Sequence, residues 1–136
     1  MPATILIVDD EPNIIVPLQF LMEQSGYRVL VAQSGEEAIE SIMQYQPDLI
    51  LLDIMLPGID GFEVCEIVRL NPDWRHTRII FLTAKGRDVE IAKGMVLGAD
   101  AYITKPFSNS DVVQQVKSLL EPPQKAPAGP IRQGLE

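Results

Sequence analysis

Leu49-Ile50-Leu51-Leu52-Asp53 sets four aliphatic residues in a row and closes the run on a carboxylate. Two other segments do the same: Ile5-Leu6-Ile7-Val8 runs into Asp9-Asp10-Glu11, and Ile103-Thr104 runs into Lys105-Pro106. An uninterrupted apolar run of this length, without polar alternation, suits a strand buried on both faces, which is the situation in a parallel sheet covered by helices. The charged residue at its end then lies at the carboxyl edge of the sheet, where open α/β folds bind ligands.

The segments between these runs have helical spacing. Pro12 to Gln24 carries Ile14, Ile15, Leu18, Leu21 and Met22 on one side and is stopped by Gly26. Tyr27 to Val31 is a second strand, and Ser34-Gly35-Glu36-Glu37 is a capped start to a helix with Ala38, Ile39, Ile42 and Met43 on one face, ended by Pro47. After Leu49 to Leu52, the turn Leu56-Pro57-Gly58-Ile59-Asp60-Gly61 leads into a helix from Phe62 to Leu70, with Asp60 as its cap. Ile79 to Leu82 is a fourth strand. A helix from Val89 to Leu97 stops at Gly98, Ala101 to Thr104 is a fifth strand, and a last helix runs from Asn109 to Leu120.

Five strands alternating with five helices imply right-handed crossovers, a parallel sheet and helices on both faces: a doubly wound α/β fold. The 136 residues, 46% of them hydrophobic, fit one domain with a sizeable core. Residues 1–121 form that domain. From Pro122 the chain becomes Pro-rich and loses apolar periodicity, so 122–136 is read as a flexible tail or linker remnant.

Composition excludes several classes. A net charge of −8 with no basic cluster argues against direct nucleic-acid binding. One cysteine, Cys65, rules out an internal disulfide framework and a thiolate metal cage, and within a helix it is a small core or boundary residue. No apolar run reaches the roughly 18 residues of a membrane helix. With no signal-peptide pattern, the expectation is a cytoplasmic protein without membrane contact.

Asp9, Asp10, Asp53, Thr83 and Lys105 fall at the ends of strands one, three, four and five. Converging carboxylates repel one another unless a cation is present, and magnesium suits such a site because it takes few protein oxygens and keeps exchangeable waters. A carboxylate held there can attack phosphorus to give an aspartyl phosphate. Lys105 can neutralise the phosphoryl group, and the Thr83 hydroxyl can donate to one of its oxygens.

These residues together resemble the receiver domain of bacterial two-component response regulators, over about residues 4 to 120. The doublet Asp9-Asp10, the single Asp53, Thr83-Ala84, Lys105-Pro106 and the Leu56-to-Gly61 turn occur in the family's order. The resemblance implies a flavodoxin-like sheet of order 2-1-3-4-5. It also implies that Asp53 accepts a phosphoryl group from a histidine kinase or phosphotransfer protein. Asp10 and the Met55 carbonyl, with Asp53, would bind magnesium directly, and Asp9 mainly through water. Thr83 and Tyr102 match the family's switch pair, the output surface would be the face of helix four, strand five and helix five, and the Lys105-Pro106 bond would be cis. By the same resemblance Met55 and Lys85 would flank the path of the hydrolytic water, and since neither can accept its proton in its usual state, slow self-dephosphorylation is expected. The output would be a downstream protein target or an effector domain, with a phosphorylation-dependent homodimer as an option. Ala101 replaces an acidic residue common in DNA-binding members, which counts against their salt-bridged dimer.

Other readings fit less well. A flavodoxin would carry Ser, Thr and Gly after strand one, where Asp9-Asp10-Glu11 would repel the flavin phosphate. Asp53-Ile54-Met55 lacks the second aspartate of an aspartyl-nucleophile phosphatase. A receiver-like module that is never phosphorylated is the stronger rival. Tyr102 could equally be a half-buried strand aromatic. Trp74 is read as a loop anchor, His76 is given no catalytic role, and Glu36, Glu37 and Glu40 are read as a solvated helix face.

Overall fold

The computed structural model describes residues 2–84 and 87–121. The chain alternates strand and helix throughout: β1 Thr4–Val8, α1 Pro12–Gln24, β2 Arg28–Ala32, α2 Gly35–Tyr45, β3 Leu49–Asp53, α3 Gly61–Leu70, β4 Arg78–Ala84, α4 Asp88–Leu97, β5 Ala101–Lys105 and α5 Asn109–Leu120. The strands form one parallel sheet in the order β2-β1-β3-β4-β5. This is the expected flavodoxin-like arrangement, and the order reverses direction at β1 and β3, which places a crevice between them at the carboxyl edge.

Side chains on a strand alternate between faces, so each continuous apolar run serves two cores. Leu6, Val8, Ile50, Leu52, Ile79 and Phe81 meet α2, α3 and α4, while Ile5, Ile7, Leu49, Leu51, Ile80 and Leu82 meet α1 and α5. Leu49 through Leu52 are all fully buried, which explains why the run contains no polar residue. None of the described helices is long and apolar enough to cross a membrane.

Local chemistry sets the boundaries. Ser34 caps α2 by accepting from the Glu37 N–H, and Asp60 and Glu63 form a reciprocal capping box at the start of α3. Asp60 is thus a cap, as expected, and α3 begins at Gly61, one residue before the expected Phe62. Gly61 is required there because a Cβ would come within 2.3 Å of the Asp53 carbonyl oxygen. Gln46, preceding Pro47, ends α2 in the left-handed region, since the proline ring disfavours the right-handed helical conformation in the residue before it.

The second strand differs by one residue from the expected Tyr27 to Val31. The Tyr27 N–H is taken by the Met22 carbonyl at the end of α1, so pairing with β1 starts at Arg28. β4 is longer than expected at both ends, and Thr83 is therefore inside the strand. α4 starts at Asp88 rather than Val89. Cys65 is fully buried, and burial pushes its thiol up to about 11. Trp74 packs part-buried against the α2–α3 core, in keeping with a loop anchor. His76, Glu36, Glu37 and Glu40 are exposed. The expected Pro-rich tail, 122–136, lies outside the described residues.

A second network ties the opposite end of the sheet. Arg69 on α3 donates through Nε to the Gly98 carbonyl at 2.7 Å and through Nη1 to the carbonyls of Thr77 at 2.7 Å and Arg75 at 3.0 Å. Its Nη2 meets Asp100 Oδ2 at 3.0 Å, and that oxygen also accepts the Ile79 N–H at 2.8 Å. One guanidinium thereby joins α3 to the starts of β4 and β5.

Candidate functional site

The carboxyl ends of β1, β3, β4 and β5 place Asp9, Asp53, Thr83 and Lys105 around one crevice. Asp53 is the last residue of β3 and is 5% exposed, Thr83 in β4 is 2% exposed and Asp9, directly after β1, is fully buried. Asp10, the next residue, is exposed at the mouth. Oxygens of Asp9, Asp10 and Asp53 all lie within 4.8 Å of one another. Lys105 closes β5 and reaches back across the sheet, its Nζ 2.9 Å from Asp9 Oδ2, 3.6 Å from Asp53 Oδ1 and 3.7 Å from Glu11 Oε1. The Lys105-Pro106 peptide is cis.

Each carboxylate has a distinct set of partners. Asp9 is engaged on both oxygens: Oδ2 accepts from Lys105, and Oδ1 accepts the Glu11 N–H at 2.9 Å. Asp53 Oδ1 accepts a longer bond of 3.3 Å from the Met55 N–H. Burial, reinforced by the negative charge of Asp9, pushes the Asp53 carboxyl up to about 6, although Lys105 and the Met55 N–H pull the other way. Burial alone would lower Lys105, but its hydrogen bond to Asp9 and the fields of Asp53, Asp9 and Glu11 outweigh that, and its ammonium is held above the ordinary lysine range.

The donor set is that of a hard divalent cation. Three carboxylates supply oxygen only, Asp10 faces solvent, and Lys105 is divided among three acids, so negative charge remains for a metal to neutralise. Among the described residues the Thr83 hydroxyl has a single weak partner, the Ala84 carbonyl at 3.5 Å, which leaves it able to donate to a group entering the crevice.

The crevice has a volume of about 440 Å³, and its walls include Met55, whose side chain is exposed. Tyr102 is not in it. It pairs with Phe81 across the sheet and lies 42% exposed between α4 and α5, above a separate surface hollow bordered by Met95, Phe107 and Gln115. By strand parity, Phe81, Thr83 and Tyr102 face the α4 side together. Lys85 lies outside the described residues. The crevice also contains acids and a cation that spacing did not single out. Glu11 reaches Lys105 from the turn before α1, while Arg87 and Glu90 border it from the start of α4. Glu11 stood next to the aspartate doublet as a signal, whereas Arg87 and Glu90 are marked only by where α4 packs.

Comparison with known proteins gives a consistent picture. The family model of the response regulator receiver domain matches residues 5–117. The chain is 46% identical over 120 residues to the alkaline phosphatase synthesis transcriptional regulatory protein PhoP of Bacillus subtilis (strain 168), a match covering 88% of this chain and 49% of that protein. The chain thus spans about half the length of this curated relative. A response regulator of Chloroflexus aurantiacus J-10-fl superimposes with a TM-score of 0.86 at 39% identity, over 88% of this chain and 98% of that one. The receiver domain of the sensor histidine kinase PA1611 of Pseudomonas aeruginosa PAO1, which holds a magnesium ion in its active-site cleft, does so with a TM-score of 0.81 at 27% identity, over 88% and 98% of the two chains.

Proposed function

This chain belongs to the response regulator receiver domain family of two-component signalling, and on that basis we propose that Asp53 accepts a phosphoryl group in a magnesium-dependent step. The observation that carries the reading is the position of Lys105 Nζ between two buried carboxylates from other strands, 2.9 Å from Asp9 and 3.6 Å from Asp53. Such an arrangement keeps Asp53 in a crevice reachable by an anion and supplies a cation to receive it.

The donor is the phosphohistidine of a histidine kinase or phosphotransfer protein. An Asp53 carboxylate oxygen attacks phosphorus, the phosphorus–nitrogen bond breaks, and the departing imidazole nitrogen keeps the electron pair. Asp10, Asp53 and the Met55 carbonyl would hold magnesium directly, and Asp9 would act through water, in line with both of its oxygens being engaged by Lys105 and Glu11. The ion would supply charge screening between the carboxylates and the phosphate oxygens. Lys105 and the lightly held Thr83 hydroxyl then bind the transferred oxygens.

Thr83 and Tyr102 act as the switch. When Thr83 turns toward the phosphoryl group it vacates space on the α4 side, which the Tyr102 ring fills, altering the α4–β5–α5 face. The output is a protein contact in the cytoplasm, with a separate target or with an effector domain. The relative from Bacillus subtilis is named a transcriptional regulatory protein and is about twice as long as the matched part. DNA contact is therefore assigned to a partner or effector domain and not to the acidic receiver. Catalysis is limited to the chain's own phosphorylation and slow dephosphorylation, the latter governed by Met55 and Lys85.

The test is intact-protein mass after incubation with acetyl phosphate, with and without magnesium, on the wild type and Asp53→Ala. The expected result is one phosphoryl adduct that requires magnesium and Asp53. No adduct, either there or with a histidine kinase, would leave a receiver-like interaction module.

A further inference from the structure

The Asp53 crevice has a second cation in its wall. Arg87 stands at the N-cap of α4 and Glu90 in its first turn, and both border the crevice that contains Asp10, Asp53, Thr83 and Lys105. The two side chains are paired with each other, Arg87 Nη2 to Glu90 Oε2 at 2.5 Å. Half of the Arg87 side chain is in water and Glu90 is 19% exposed, so the pair is open to solvent on its cationic side, where an ion pair between residues three apart contributes modestly.

The two cations of the crevice are in different states. Among the described residues Lys105 is already divided among Asp9, Asp53 and Glu11, whereas Arg87 pairs with one carboxylate. Glu90 also borders a groove with Met55, Phe62 and Lys93, in which the Lys93 ammonium lies 4.5 Å above the Phe62 ring, so a second cation stands along the groove that Glu90 lines. A phosphoryl group in the crevice offers the planar guanidinium fork two charges and three acceptor oxygens, against one charge on Glu90. Among the described residues of α4 only Gly94 is fully packed into the core, so its first turn carries few buried contacts that would oppose such a change of partner.

From this geometry we infer that Arg87 is a second phosphoryl-binding cation, masked by Glu90 at rest and transferred to the dianionic phosphodonor as it enters, so that Glu90 restrains self-phosphorylation from small acyl phosphates. The inference rests on Asp53 being the acceptor. In the reaction with acetyl phosphate an Asp53 oxygen bonds to phosphorus, the phosphorus–oxygen bond to the acetyl group breaks, and acetate leaves with the electron pair. Arg87 stays protonated throughout and binds phosphate oxygens only.

The experiment is the acetyl phosphate concentration dependence of adduct formation in saturating magnesium for the wild type, Glu90→Gln, Arg87→Gln, Arg87→Lys and the double variant Arg87→Gln/Glu90→Gln. Glu90→Gln should raise the second-order rate constant about 3- to 10-fold, chiefly through a lower half-saturating concentration, and Arg87→Gln should lower it by a similar factor. Arg87→Lys should restore part of the loss. In the Arg87→Gln background, Glu90→Gln should change the rate less than about 2-fold, because the arginine it would release is gone. No gain in Glu90→Gln, or the same gain with and without Arg87, would overturn the inference while leaving Asp53 as the acceptor. A wild type that forms no adduct would overturn the acceptor assignment and this inference with it.

Discussion

Lys105 Nζ and Asp53 Oδ1 are 3.6 Å apart, near enough for strong attraction but beyond the range of a good hydrogen bond. The lysine's short contact goes instead to Asp9, at 2.9 Å. Asp53 is therefore buried beside a cation that mainly serves another residue, and burial together with the negative charge of Asp9 raises its carboxyl to about 6 despite that cation.

This sets a pH dependence for the metal-free protein. With a folded pKa above the unfolded value near 3.9, Asp53 contributes stability that is fully present below about pH 4 and is lost as pH rises through 6. Asp53→Asn should therefore be more stable than the wild type at pH 7, by about 1 kcal/mol because solvent reaches the crevice, and the difference should vanish near pH 4. Urea melts of both proteins in EDTA at pH 4, 5, 6 and 7 measure it.

Magnesium should reverse the ranking. At ten times its dissociation constant, an ion that binds the folded state alone adds about 1.4 kcal/mol, and Asp53→Asn should lose most of that gain. Binding should weaken as pH falls below 6, where the ion must displace the Asp53 proton. Calorimetric titration in buffers of different ionisation heat would detect the released proton.

Arg69→Ala should destabilise the domain by about 2–4 kcal/mol, since it abandons three carbonyls and leaves Asp100 without its nearer cation. Arg69→Lys should recover little, because a single ammonium cannot reproduce the fork. Thermal melts of both variants provide the check, and adduct formation at Asp53 should persist at temperatures where the variants remain folded.

Gly94→Ala should cost about 1–2 kcal/mol despite alanine's better helix propensity. A Cβ at this position would lie 2.7 Å from two ring carbons of Phe81, and that ring is held edge-on against Phe62 with centroids 5.5 Å apart. Adding Phe81→Leu should recover part of the loss, as a double-mutant cycle by chemical denaturation would reveal.

Replacing Met55 with Asn and Lys85 with Glu should shorten the half-life of the phosphorylated protein by about tenfold or more, because both new side chains can hold and orient a water. Decay of the adduct followed by mass measures the half-life, and an unchanged value would remove these two positions from the control of hydrolysis.

The strand–helix alternation was legible because burial on both faces leaves a plain mark: Leu49 through Leu52 have no polar residue to hide, and Ser34, Asp60 and Gly98 punctuate the helices. Asp9, Asp10, Asp53, Thr83 and Lys105 were legible for the same reason, each ending or directly following an apolar run in a parallel sheet. The one-residue shift of β2 was not, because it depends on which carbonyl captures the Tyr27 N–H.

What the amino-acid order determined by itself is therefore the sheet, its direction and the edge at which the acids and Lys105 gather, since parallel strands place all their carboxyl ends together. Only the tertiary structure decided how the charges are shared. Lys105 bonds Asp9 more closely than Asp53, Arg87 and Glu90 enter the crevice from α4, and Arg69 ties three elements through one guanidinium. Those outcomes follow from distances between residues far apart in the chain, and Coulomb and hydrogen-bond energies depend on those distances and on local burial, neither of which residue spacing encodes.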